Sequence, residues 1–211
     1  IVTDRVAVSP LYYSTDGVFI TPNKVSEESV AGKVTVHIAT DRRDRPATVQ
    51  MAILSPTLDT VFIDNLRTKI DGKSAHTTID VPFSLDRPQL WGAEMGEQPL
   101  YTVVAKVATG MTTDSVAVKT GFRSISIGDD HLIRVNNRPR RIKGVALYGD
   151  RAGVGSAIQP CHIDEDMALI EELGANLVRM VTYPAAPAYL DECDRRGIGV
   201  WCDIPLINSP F

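Results

Sequence analysis

The chain has 211 residues, a formal net charge of −4, 44% apolar and 23% charged residues, and a mean hydropathy near zero, the composition of one large or two modest globular domains with real cores. No cluster of Lys and Arg interleaves with aromatics, so nucleic acid is not an expected partner. No apolar run approaches the roughly 20 residues of a membrane helix, so no membrane partner is expected either, and IVTDRVAVSPLYY lacks the basic and apolar regions of a signal peptide.

Residues 1–122 alternate short β-rich runs with turn clusters: GVFIT, KVTVHIAT, ATVQMAIL, TVFIDNLRTKI, TTIDVPFSL, YTVVAKVAT and TTDSVAVKTGF. Val34, Val36 and Ile38 against Thr35 and His37 show strict period-2 alternation, as do Val49, Met51 and Ile53. This spacing predicts an immunoglobulin-like β-sandwich of about seven strands, without a bridging cysteine pair, in which Trp91 anchors the core. Outward positions are mostly Thr, Lys, Gln and Asp, and no aromatic face is expected on the sandwich. SISI and HLIRV in residues 123–142 predict a junction hairpin, with NNRP as a further turn.

From Arg141 to Pro205 the pattern changes to parallel βα units. IKGVALY, ANLVRMV and IGVWCDIP read as buried strands. HIDEDMALIEELG reads as a helix with Asp164, Glu165 and Asp166 in its first turn against the dipole. Its stripe is Met167, Ile170 and Leu169 or Leu173, and Gly174 stops it. PAYLDECDRRG is a second helix, opened by Pro187 and closed by Gly197. The fold class expected is thus multidomain β plus α/β: the sandwich (1–122), then a hairpin and the first three βα units of a TIM barrel (123–211), truncated because three strands cannot close a barrel. Open strand edges make a homo-oligomer through the incomplete barrel a further expectation.

Chemistry is sparse. Cys161, Cys193 and Cys202 form no CxxC pair and no zinc spacing with a histidine, so buried or semi-buried free thiols are expected, with a disulfide or a metal as the alternative. The four histidines are scattered; neither a metal nor a cofactor is expected. Arg179 sits in an apolar strand, where a cation is costly without a carboxylate partner. Asp150 and Asp203 follow strands, but no acidic pair is convincing. Trp201 offers a sugar-stacking ring or, as its place in the run VW favours, core packing.

Several motifs carry a family resemblance. SPLYYSTDGVFITPNKVSEES, LWGAEMGEQPLYTVVAKV, TGFRSISI, VNNRPRRIKGVALYGD, NLVRMVTYP and DECDRRGIGVWCDIP, in this order, resemble family 2 glycoside hydrolases over nearly the whole chain. GDRAGVGSAI is most similar to a β-galactosidase-like branch from gut Bacteroidetes, which implies a periplasmic or secreted location. The resemblance implies a retaining exo-β-glycosidase acting on an oligosaccharide or other β-glycoside, with galactoside first and glucuronide or mannoside next. It places the acid/base and nucleophile Glu on later barrel strands, beyond Phe211, so that this chain alone is expected to be inactive. It implies that Arg179 lies beside the nucleophile; a structural ion pair with a neighbouring strand's Asp stands as the other reading. Thr182, Tyr183 and Pro184 stand where the family has His-Tyr-Pro, Tyr148 where it has His, and Asp203 where it has Glu. Arg179, Thr182, Tyr183, Asp203, Tyr148 and Asp150 are therefore the expected lining of the substrate site. The departures among them point to shifted specificity or to a relative that no longer turns over, with a non-catalytic module that binds carbohydrate or protein as the alternative from another class.

Overall fold

The computed structural model describes residues 6–9, 12–13, 15–92, 96–110, 112–182 and 184–204. The chain divides into two compact units, Ile1–Gln89 with Leu100–Phe122, and Leu90–Pro99 with Arg123–Phe211.

The first unit is a β-sandwich. β1 (Val6–Val8), β2 (Val18–Val25), β3 (Ser29–Thr40) and β6 (His76–Asp86) form one antiparallel sheet. β4 (Arg45–Leu54), β5 (Thr60–Ile70), β7 (Tyr101–Thr109) and β8 (Thr112–Thr120) form the other, in the order β5-β4-β7-β8. Because strand side chains alternate, each inner strand buries every second residue: Val34, Val36 and Ile38 on β3, Val49, Met51 and Ile53 on β4. Phe122 closes this core against Phe83 and Tyr101, ring centroids 5.8 and 5.0 Å away.

Among the described residues the unit has eight strands, the seven long ones expected and a short β1. β1 is three residues long, too short to show a period, and it lies end to end with β2 along one edge of β3. The His37 backbone spans the break, accepting the Ser9 N–H at 2.7 Å and donating to the Gly17 carbonyl at 2.8 Å. Gly17 is required there: its φ is +72° and a Cβ would lie 2.5 Å from the Ser9 carbonyl oxygen. The expectation of a sandwich without an aromatic face is also corrected. Tyr12 stacks on His37 at 3.6 Å, with Phe19 and Tyr13 edge-on to it. Tyr12 and Tyr13 precede β2 and so escape its alternation, while Phe19 and His37 are outward positions that happen to be aromatic.

The second unit opens with a meander of β9 (Ile125–Ile127), β10 (Ile133–Val135) and β11 (Arg138–Pro139). Asn136 and Asn137, at φ 52° and 63°, make the two-residue turn between Val135 and Arg138 that favours left-handed residues. β12 (Gly144–Leu147), β13 (Leu177–Met180) and β14 (Gly199–Cys202) then pair in parallel, connected by α1 (Pro160–Glu172) and α2 (Pro187–Arg196). These are two complete βα units and a third strand. The helices cover one face, where Ile163, Met167, Val178, Met180, Tyr189 and Cys193 are buried.

α1 begins earlier than the acidic run suggests. Pro160 takes a first-turn position, and the His162 ring accepts the Gln159 N–H at 3.1 Å, so Asp164, Glu165 and Asp166 fall outside the first turn. They pair with arginines instead, Asp164 with Arg196, and Glu165 and Asp166 with Arg151. The helix's stripe is Ile163, Met167 and Ile170; Leu169 and Leu173 are exposed.

Trp91 corrects another expectation. It is buried, but in the second unit, where Trp91, Gly96 and Gln98 cap the end of α2. The last four carbonyls of a helix have no partner within it. Here Trp91 Nε1 donates to Asp194 at 2.6 Å, Gln98 N to Arg195 at 3.0 Å, Gly96 N to Arg196 at 3.1 Å and Ile198 N to Cys193 at 3.0 Å. Gly197, left-handed at φ 73°, ends the helix beside them. Among the described residues, no helix is long and apolar enough to cross a membrane.

Candidate active site

The chemistry-bearing residues gather at the C-terminal ends of the three parallel strands. Alternation decides which face each strand residue takes. Val178 and Met180 turn to the helices, so Arg179 turns to the other face, in register with Ala146 of β12 and Trp201 of β14. The Arg179 side chain thus stands on the sheet face opposite α1 and α2. Trp201, expected in the core, shares that face with Arg179 and is not part of the core beneath the helices.

Arg179 does have its carboxylate. Its Nε and Nη2 donate to Asp203 Oδ1 and Oδ2 at 3.0 and 2.8 Å, the side-on bidentate geometry that suits a guanidinium. This is the ion pair with a neighbouring strand's Asp. The Arg179 hydrogen bonds hold the Asp203 carboxyl below the usual carboxylate range, helped by the Thr182 N–H, and Asp203 in turn raises the guanidinium. Tyr148, exposed at the end of β12, is near enough to act electrostatically on Arg179.

Thr182 donates its N–H to Asp203 Oδ2 at 3.3 Å. Its φ is +58°, a conformation that β-branched residues avoid. It also lines a cavity of about 640 Å³ together with Tyr148, Asp150, Met180, Pro184 and Tyr189. Of the expected site residues, Tyr148, Asp150 and Thr182 thus share one cavity, and Arg179 with Asp203 joins it through the Thr182 backbone. Tyr183 lies outside the described residues.

The cavity has a brace that pattern reading missed. Arg151, in the loop after β12, pairs with Glu165, lies 3.6 Å from Asp166 and donates to the His162 carbonyl at 3.2 Å. Asp166 in turn accepts the Tyr189 hydroxyl at 2.5 Å, and burial pushes the Tyr189 phenol well above its ordinary titration range. Loop, α1 and α2 are thereby tied together beneath the cavity. The available signal was the acidic run 164–166, which needs cations, with Arg151 just upstream.

Glu171 and Glu192 are held in a cluster with Arg195 and Arg196. Glu192 is drawn down to about 2 by its hydrogen bond from Arg195 and then from Arg196, and Arg196 also pairs with Glu171 at 2.9 Å. Of the thiols, Cys193 is buried as expected, whereas Cys161 and Cys202 are exposed and all three are free.

Comparison with known proteins agrees with this architecture. The sequence profile of glycosyl hydrolases family 2 matches residues 15–123, and that of the family's TIM barrel domain matches residues 125–208. A β-glucuronidase of Bacteroides fragilis is 30% identical over 210 residues, which are 99% of this chain and 30% of that protein. A β-galactosidase of Bacteroides ovatus is 26% identical, over 89% of this chain and 22% of its own length. The chain therefore spans less than a third of the curated relatives it matches. A solved structure from Bacteroides fragilis, described as a candidate β-galactosidase, superposes with a TM-score of 0.90 at 26% identity, over 98% of this chain and 31% of its own. The β-glucuronidase structure from Bacteroides uniformis shares the fold, with a TM-score of 0.86 at 23% identity, over 98% of this chain and 25% of its own. The chain belongs to glycosyl hydrolase family 2, as its sandwich unit and the opening strands of its TIM barrel domain.

Proposed function

We propose that this chain is part of a retaining exo-β-glycosidase that removes terminal β-linked sugars, with β-galactosides and β-glucuronides as the first substrates to test. The observation that carries the reading is the gathering of Tyr148, Asp150, Thr182 and the Arg179–Asp203 pair at the C-terminal strand ends of a family 2 barrel domain, the face on which such barrels bind substrate. Tyr183, between Thr182 and Pro184, belongs to the same proposed lining. Retaining hydrolysis uses two carboxyl groups about 5–5.5 Å apart, one as nucleophile and one as acid and then base. Six acidic residues of the second unit pair with arginines: Asp203 with Arg179, Glu165 and Asp166 with Arg151, and Asp164, Glu171 and Glu192 with Arg196. Later barrel strands supply the catalytic pair in this reading, and this chain supplies the wall of the sugar site and the arginine beside it.

The test is an assay of the full-length protein on a panel of nitrophenyl β-glycosides, with this chain run alongside. Hydrolysis of a galactoside or glucuronide by the full-length protein, and none by the chain, is the expected result. A folded full-length protein silent on every sugar would overturn it in favour of a binding role.

A further inference from the structure

We propose that Asp203 is a positioning residue: a single carboxylate that sets the orientation of Arg179 and pins the left-handed turn at Thr182. Its bearing on turnover rests on the glycosidase reading above; the geometry does not.

Asp203 is anchored at both ends. Its backbone N–H donates to the Met180 carbonyl at 3.2 Å, extending the β13–β14 ladder by one step past Cys202. Its backbone is tied into the sheet and its carboxylate takes three hydrogen bonds, so the acid is the fixed member of the pair and the arginine the dependent one. Oδ1 accepts Nε of Arg179, and Oδ2 accepts both Nη2 of Arg179 and the N–H of Thr182.

Two consequences follow from that division of lone pairs. A guanidinium held through Nε and Nη2 presents its opposite edge, that of Nη1, away from the carboxylate. Among the described residues Nη1 has no protein hydrogen bond, so Asp203 orients Arg179 without exhausting it, and a second anionic group can be met on the free edge. A structural ion pair with Asp203 and a catalytic duty for Arg179 are then compatible, because they use different edges of one cation. The second consequence concerns Thr182. At φ +58° a threonine returns to the extended region unless something holds it, and the Asp203 carboxylate accepts its N–H. The residue that orients the arginine therefore also shapes the cavity wall formed by Thr182 and Pro184.

The experiment has two arms. In this 211-residue chain, with arginine labelled with ¹⁵N, the Nε–H resonance of Arg179 is assigned through Arg179→Lys and its exchange with water is measured. Asp203→Asn should speed that exchange about tenfold or more, and Asp203→Glu should keep it slow. In the full-length hydrolase, Asp203→Asn should lower kcat by about 10²-fold, the scale expected for a misplaced site group, with KM within about threefold of the parent, and Asp203→Glu should recover most of the loss. Unchanged exchange in Asp203→Asn would overturn the strut. Faster exchange with unaltered kcat would overturn the positioning role and leave a merely structural pair. A parent silent on every glycoside, with the Arg179 resonance still protected, would instead sink the glycosidase reading, which separates the two failures.

Discussion

Trp91 donates its indole N–H to the carbonyl of Asp194 at 2.6 Å, joining two residues 103 positions apart at the last turn of α2. The Arg123 guanidinium lies 4.4 Å from the centroid of the Trp91 ring, and Asn136 Nδ2 donates to the Trp91 carbonyl at 2.9 Å. One residue thus completes a helix end and seats a cation with its side chain, and anchors the meander through its main-chain carbonyl. Trp91→Phe keeps the ring but strands the Asp194 carbonyl, at a cost of about 1–2 kcal/mol. Trp91→Ala also opens a cavity and should cost about 3–5 kcal/mol. Denaturation followed by amide exchange in α2 measures both. Equal stability of Trp91→Phe and the parent would show that the bond contributes nothing.

Trp91 also shows where sequence reading stops. Alternation is a local property, and it placed the long sandwich strands, β12 to β14 and both helices because each buries one face along its own length. It placed Trp91 with the sandwich because the flanking strands, β6 and β7, belong there; that Trp91, Gly96 and Gln98 cap α2 is a tertiary fact with no local signal. Arg179 shows a different limit. The run LVRM was read as uniformly buried, but Val178 and Met180 fill the helix-covered face, and strict period-2 counting turns Arg179 and Trp201 to the opposite one. The places of Tyr148, Asp150, Thr182 and Asp203 at strand ends were legible from motif order. The partners that hold them, Asp203 excepted, were not, because Arg151, Asp166 and Tyr189 meet only in the folded unit.

Thr182 is strained, and relief of the strain is measurable. A β-branched residue in the left-handed region costs about 1–2 kcal/mol, while glycine there gives back about 0.5–1 kcal/mol in unfolded-chain entropy. Thr182→Gly should therefore raise the stability of the second unit by about 0.5–1 kcal/mol. Both tryptophans, Trp91 and Trp201, lie in that unit, so urea denaturation followed by tryptophan fluorescence reports on it alone. A loss of stability would mean that the Thr182 side chain makes a compensating contact.

Glu192 gives the second unit a defined acid sensitivity. Arg195 and Arg196 pull its carboxyl down to about 2, below the ordinary unfolded value of about 4.3. A depressed acid binds its proton more readily in the unfolded chain, so the stabilisation is complete above the unfolded value and is lost as pH falls towards 2. Asp194, half-buried on the same helix, is shifted upward by desolvation and works in the opposite direction. Subtracting the profile of Glu192→Gln from that of the parent cancels Asp194. The difference should be flat above about pH 5.5 and shrink steadily from about pH 4.5 to 2. A difference that does not vary with pH would mean that the two arginines do not hold Glu192.

The three thiols divide by burial. Cys193 is fully buried on α2, and burial, followed by the negative charges of Asp194 and Glu192, pushes its thiol up to about 12. Only the thiolate reacts, so this group is shielded both by access and by protonation. Cys161, near the start of α1, and Cys202, at the end of β14, are exposed. A maleimide at pH 7 should therefore label two of the three cysteines in the folded chain, with the third appearing only in denaturant. Mass mapping should assign the slow site to Cys193. Rapid labelling of all three would mean that α2 leaves its place against β13 and β14 on the timescale of the reaction, and native-state labelling of Cys193 that slows in step with an added stabilising substitution such as Thr182→Gly would identify that opening as unfolding of the unit.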